Sequence, residues 1–243
     1  LLRGDDINDT DSLGTLLDFM ALQRARVPAL RDAVEKAQSE EVMSTSRVMD
    51  SHGLLPPKPP GRENIIEGTE VAIDPHQSLV AMASQLDAID RIYSEIGLGA
   101  LRNKTNTPFL TSDNPVIWFD SSVPEIEMRP YVWRQGTPLV FIFPVAPDLM
   151  IYGHSSMRKQ FASDGFRYAD LSDSKSAEMM NRQICRFAYE AVFAQLEGQE
   201  ALIREHANLS PVLQISRLLG EQGETLFLSS VFGPRKRKPK WTD

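Results

Sequence analysis

The chain has 243 residues, enough to bury a sizeable core, and its 42% hydrophobic and 24% charged composition is that of a globular protein. A net charge of −7 argues against broad binding to duplex nucleic acid. No apolar run reaches the roughly 18 residues of a membrane helix, and the single cysteine, Cys185, excludes an internal disulfide and suits the cytoplasm.

The start, "LLRGDDINDT", lacks the basic-then-apolar order of a signal peptide and lacks an initiator Met, as a fragment would. "DSLGTLLDFMALQRARV" follows, with Leu13, Leu16, Leu17 and Met20 at helical spacing. Pro28 interrupts, and "ALRDAVEKAQSEEVM" reads as helix again, so one helix kinks at Pro28 or two meet there. "SHGLLPPKPPGREN" reads as an extended linker; its P-x-x-P spacings at Pro56/Pro59 and Pro57/Pro60 fit a stiff surface connection better than a partner-domain ligand. A third helix begins at Asp74 as N-cap with Pro75 behind it, carries the stripe Leu79, Met82, Ala83, Leu86, Ile89 and Tyr93, and stops at Gly97.

Then the pattern shortens. "TPFL", "PVIWF", "PLVFIFPV" and "DLMIYG" are brief, apolar and rich in β-branched or aromatic residues, the signature of strands in a largely antiparallel sheet. The loop "DSSVPEIEMRPYVWRQG" between the second and third is long enough to overhang whatever lies beside the sheet. "SDSKSAEMMNRQICRFAYEAVFAQL" reads as a helix burying Met180, Ile184, Phe187, Ala188, Ala191 and Leu196; "QEALIREHA" and "SPVLQISRLLGEQG" read as further helices. Helices before and after a run of strands predict an α+β fold: a small, mostly antiparallel sheet flanked by N- and C-terminal helices, in one domain over residues 1–234. The basic tail 235–243 carries Arg235, Lys236, Arg237, Lys238 and Lys240, whereas residues 1–234 hold 21 Lys and Arg against 32 Asp and Glu. Such a tail can contact nucleic-acid phosphates or the acidic body, and a solvated terminus is its ordinary state.

No cofactor or metal motif is present. "DTDSLG" has Leu13 at a calcium-ligand position and Met20 where the closing Glu belongs. "GLG" at 97–99 lacks the preceding strand and third glycine of a dinucleotide fingerprint, and His52, His76, His154 and His206 show no metal-ligand spacing. Cys185 lies near an apolar stripe, where a buried inert thiol is the expectation.

What remains is "TPFLTSDNPVIWFD", where Thr111, Ser112, Asp113 and Asn114 interrupt two apolar runs. Asn114 precedes Pro115 and is pushed towards extended backbone, while Ser112 and Asp113 favour local bonds to N–H groups. A hydrogen-bonded turn joining two strands explains the stretch without any ligand. Gln23 and Arg26 lie three residues apart on one helix face; if that face meets the turn, Arg26 and Asp113 pair and the other polar groups line a pocket for a small polar ligand.

The order of "ALQRARVP", "FLTSDNPV", "FPVAPDLMIYG" and the helix bearing Asn181 resembles the bacterial family catalogued as domain of unknown function 4238, over about residues 15 to 197. Members share a Gln-x-x-Arg helix, a Thr/Ser-Asp-x-Pro turn, a Pro-x-x-Pro strand segment and an Asn-bearing C-terminal helix. The family usually begins with a His-x-x-Pro type motif, and the present chain starts after that point, so a His from such a segment belongs to the site the resemblance implies. The resemblance implies no activity. The expected function is a cytosolic protein whose Gln23, Arg26, Ser112, Asp113, Asn114 and Asn181 bind a small anionic or nucleotide-like ligand. One alternative is a phosphodiester hydrolase with Asp113 as catalytic general base or metal ligand and Arg26 as electrostatic stabiliser. The other is an interaction module in which the same residues only hold the fold. No metal is expected, because Asp113 has no obvious second carboxylate in Asp90 or Asp120.

Overall fold

Asp9 opens the first helix: its carboxylate accepts from Ser12 N at 2.8 Å, and α1 runs Thr10–Ala25. The structure is a computed structural model and describes residues 7–74, 77–220 and 223–234. Val27, just before Pro28, is extended, and Pro28 takes the first position of α2, Pro28–Ser51, so two helices meet there. The third helix, α3, spans Gln77–Glu95 and buries Ile89 and Ile92. Its expected start at Pro75, and the basic tail 235–243, lie outside the described residues. No described helix is long and apolar enough to cross a membrane.

The chain then builds a five-stranded sheet from β1 (Gly97–Asn103), β3 (Ile117–Asp120), β4 (Leu139–Ala146), β5 (Leu149–His154) and β6 (Arg167–Leu171), in the order β3-β4-β5-β1-β6. Three of its pairings are antiparallel, and β1–β6 is parallel. A short β2 (Thr111–Ser112) pairs with β7 (Val192–Phe193) outside that sheet. Between β5 and β6 lie one 3-10 turn, Ser155–Met157, and α4, Arg158–Asp164. After β6 come α5 (Ser174–Phe187) and α6 (Glu200–His206), then a hairpin of β8 (Ser210–Gly220) and β9 (Gly223–Gly233). The fold is α+β, as the segregated helices and strands imply.

Both faces of the sheet are covered, which is why β4 reads as an unbroken apolar run rather than an alternation. Leu139, Phe141 and Phe143 join Met20 of α1 and Ile89 of α3 on one side; Val140 and Ile142 join Ile184 and Phe187 of α5 on the other. Burying each of these large side chains contributes roughly 1.5–3 kcal/mol.

Four local expectations are corrected. The apolar "TPFL" is not a strand; it is held by side chains instead, as described below. "GLG" is part of a central strand: a Cβ on Gly97 would stand 2.2 Å from Met157 O, and one on Gly99 2.7 Å from Arg167 O, so glycine permits the close approach of α4 and β6 to β1. The helix expected to reach Leu196 stops at Phe187, because Ala188 turns extended (φ −59, ψ 143) and the following segment pairs with β2. "SPVLQISRLLGEQG" forms a strand, not a helix. Its β-branched Val212 and Ile215 pair with Val231 and Leu228 of β9, and its flank is fixed to α2 by Lys36 Nζ donating to Leu213 O at 2.6 Å and by Arg217 pairing with Glu40.

Candidate functional site

Residues 108–114 gain their order from α5 and the segment after it. Asn181 is fully buried; its Oδ1 accepts from Leu110 N and its Nδ2 donates to Pro108 O, both at 2.9 Å. One amide therefore replaces the sheet ladder that this stretch lacks. Asp113 does the same in reverse. Its Oδ1 accepts from Tyr189 N at 2.9 Å and its Oδ2 from Glu190 N at 2.7 Å, while its own N–H donates to Ala191 O at 3.2 Å. These bonds draw the chain out of helical geometry just past Phe187. Ser112 is buried, and its Oγ accepts from Asn114 N at 3.2 Å. The stretch is thus a clasp between distant segments rather than a local turn joining two strands.

A second polar group lies behind this clasp. Asn114 is completely buried, and its Nδ2 donates to Phe187 O and to Tyr131 Oη, each at 2.6 Å. The Phe187 carbonyl can only accept, so the amide orientation is fixed, and Oδ1 is left without a hydrogen-bond partner among the described residues. Tyr131 comes from the loop between β3 and β4. Its ring meets Trp118 edge-on at 4.8 Å and Phe187 at 5.2 Å, joining the cores on the two faces of the sheet. Over the ring lies the Arg24 guanidinium, Cζ 3.7 Å from the centroid and 5.5 Å from that of Trp118. Arg24 is 6% exposed, and its Nε and Nη1 have no hydrogen-bond partner among the described residues. Burial lowers its pKa from the ordinary value, yet a guanidinium stays charged at neutral pH. Burial likewise raises the pKa of the Tyr131 phenol, against the opposing effect of Arg24.

The arginine in the site is therefore Arg24, not Arg26. Arg26 is exposed at the end of α1, and no hydrogen bond or ion pair joins it to Asp113 among the described residues. Gln23 is half-buried on the same helix. Asn181 serves backbone groups, and Ser112, Asp113 and Asn114 stand together. Sequence reasoning missed Arg24 and Tyr131. Arg24 had a legible signal: it falls four residues after Met20, on the buried stripe of Leu16 and Met20. Tyr131 had none beyond its place in a loop long enough to overhang the sheet.

On the far side of that loop is an open cleft of about 1090 Å3. Met128, Arg129, Val132 and Trp133 of the loop line it together with Arg186 and Phe232. Arg186 stacks on Phe232 at 4.5 Å and holds the loop, its Nη1 2.9 Å from Glu125 Oε1 and its Nη2 donating to Glu125 O at 2.9 Å. Among the described residues no three His, Cys, Asp or Glu side chains gather as a metal site requires. Cys185 is buried, and burial pushes its thiol up to about 12, so it offers no thiolate.

Replacing Asp113 by Ala removes the acceptor of two backbone N–H groups and is expected to cost roughly 1–3 kcal/mol, read as a lower urea midpoint. The loss stays moderate because Glu190 is exposed and water takes over its N–H. An unchanged midpoint would show that the clasp contributes nothing.

A comparison with curated proteins finds no match, and neither does one with solved structures. A family model does match, over residues 2–197, and it takes in the Arg24, Asn114, Tyr131 and Asn181 positions while leaving out the β8–β9 hairpin. The chain belongs to the family described as protein of unknown function DUF4238.

Proposed function

We propose that the protein binds a small anion, nucleotide-like in its larger form, through Arg24. The observation that carries the reading is a buried guanidinium with, among the described residues, no carboxylate beside it and two nitrogens unpartnered. An isolated buried charge is costly, and such an arrangement is retained where a ligand supplies the missing charge. Asn114 Oδ1, equally buried and unpartnered, favours a ligand that also carries an N–H or O–H donor. The single cysteine suits action in the cytoplasm.

Hydrolysis through Asp113 is the weaker reading, since both of its oxygens already hold backbone N–H groups. A purely structural role describes Asp113 and Asn181 well, but leaves Arg24 without a purpose.

Thermal unfolding tests the proposal. Inorganic phosphate or a nucleoside monophosphate at a hundredfold excess over its Kd stabilises the native state by about 2.7 kcal/mol, a rise of roughly 5–10 °C for a chain of this size. Arg24→Met should abolish the rise. No response of the wild-type protein to any anion or nucleotide would refute the reading, and an equal rise in Arg24→Met would move the site elsewhere.

A further inference from the structure

We infer that Tyr131 is a built-in plug, its ring filling the slot that the planar base of a nucleoside monophosphate takes when the site is loaded. The inference rests on the anion site at Arg24 and names the other half of its ligand.

The slot is complete without any further residue. A guanidinium covers one ring face at 3.7 Å, the Trp118 and Phe187 rings close in at 4.8 and 5.2 Å, and an amide stands at the polar end. Cation, aromatic walls and an amide with both donor and acceptor are the groups by which proteins hold a nucleobase. Tyrosine fills this slot imperfectly. Its hydroxyl takes the hydrogen bond from Asn114 Nδ2 but leaves Oδ1 unpartnered. A base edge, carrying a ring nitrogen or carbonyl beside an N–H, satisfies both atoms. Stacking also leaves Arg24 Nε and Nη1 unused, because their N–H bonds lie in the guanidinium plane, where a phosphate attached to the base through its sugar can meet them.

The backbone is consistent with a displaceable plug. Tyr131 has φ 61, the only non-glycine residue in the left-handed region among those described. A side chain with a Cβ is strained there, and such strain persists where the surroundings hold it in place. The hydroxyl bond to Asn114, the stack on Arg24 and the edge contacts with Trp118 and Phe187 hold the ring, and Arg186 tethers the loop through Glu125. Tyr131 as a residue is half-buried, and its loop neighbours Met128, Arg129, Val132 and Trp133 line the open cleft.

Calorimetric titration of the full chain with adenosine and guanosine 5′-monophosphates and with inorganic phosphate tests this. Tyr131→Gly deletes the ring and relieves the strained φ. It should tighten binding of at least one nucleotide tenfold or more while leaving phosphate affinity unchanged. Tyr131→Phe, which loses only the bond to Asn114, should tighten it about threefold, and it decides the matter if the glycine variant fails to fold. In the wild-type protein, nucleotide should speed amide exchange in residues 121–138 at least tenfold as the loop is expelled, whereas phosphate alone should not. Nucleotide affinity unchanged or weaker in both variants would make Tyr131 a wall and overturn the plug. Tightening that survives in an Arg24→Met background would sustain the slot but refute the phosphate site, so the two readings fail separately.

Discussion

Arg24→Met should make the protein more stable while removing its anion binding. Methionine matches the stem of arginine and suits the apolar stripe of Leu16 and Met20. Replacing buried ionic groups by apolar side chains of similar volume stabilises by roughly 1–4 kcal/mol in favourable cases. Against this stands the stacking on Tyr131 and Trp118, about 0.5–2 kcal/mol for a buried cation over aromatic rings. The expected net gain is about 1–2 kcal/mol, or a rise in Tm of roughly 2–8 °C. A gain in stability with a loss of binding is the mark of a group kept for a ligand rather than for the fold. Arg24→Ala is the control: it leaves a void where the stem packed and should destabilise. A fall in Tm for Arg24→Met would mean that the guanidinium is satisfied within the native protein, by ordered water for instance, and would remove the reason to assign it a ligand.

Asn181→Ala should act in the opposite direction and more strongly. The substitution strands Leu110 N–H and Pro108 C=O in a buried setting where the deleted side chain leaves little room for solvent. Each stranded group costs about 1–3 kcal/mol, so a loss of roughly 3 kcal/mol is expected, a drop in Tm of about 6–12 °C. Nucleotide affinity at the Arg24 site should hold in the surviving folded fraction, since among the described residues the Asn181 amide bonds backbone groups alone. A urea midpoint shifted by less than the equivalent of about 0.5 kcal/mol, the usual size of a surface substitution, would show that water replaces the amide without penalty.

These two residues also show how far the sequence reaches. The class of fold, the break at Pro28 and three of the five sheet strands were legible because apolar period and proline geometry are local properties. Strand β1 was not, since "GLGALRN" carries its meaning in the space its glycines leave for Met157 and Arg167, which only the assembled sheet defines. The helix expected to reach Leu196 had the right apolar stripe only as far as Ala188, since Leu196 is exposed; the Asp113 carboxylate takes the N–H groups of Tyr189 and Glu190, and a partner 76 residues away is invisible to periodicity. Strand β8 was misread as a helix because its apolar residues fit either period over a short window, and pairing with β9 decided the outcome. In the site, Ser112, Asp113 and Asn114 were found because polar residues interrupt an apolar run. Arg24 was passed over for Arg26, its neighbour two residues on, although only Arg24 lies on the buried stripe.

The clasps also set the order in which the chain can fold. Asn181 bonds partners 71 and 73 residues back, Asn114 bonds Phe187 across 73, Asp113 bonds Tyr189 across 76, and Asn8 reaches Phe166 across 158. During synthesis Leu110, Asp113 and Asn114 therefore emerge without these partners and wait until α5 and the segment after it have left the ribosome, whereas Phe109 N–H can reach Pro147 O earlier. High contact order of this kind slows folding, because loop entropy must be overcome before the distant contacts form. The nascent chain displays Leu110 and its apolar neighbours without the α5 clasp throughout that interval, the kind of exposed apolar segment on which chaperones act, while "VIWF" can pair with β4 sooner. A ribosome-stalled chain ending before Arg182 should be protease-sensitive between Leu110 and Asn114, and one extended beyond Phe193 by the length of the exit tunnel should not.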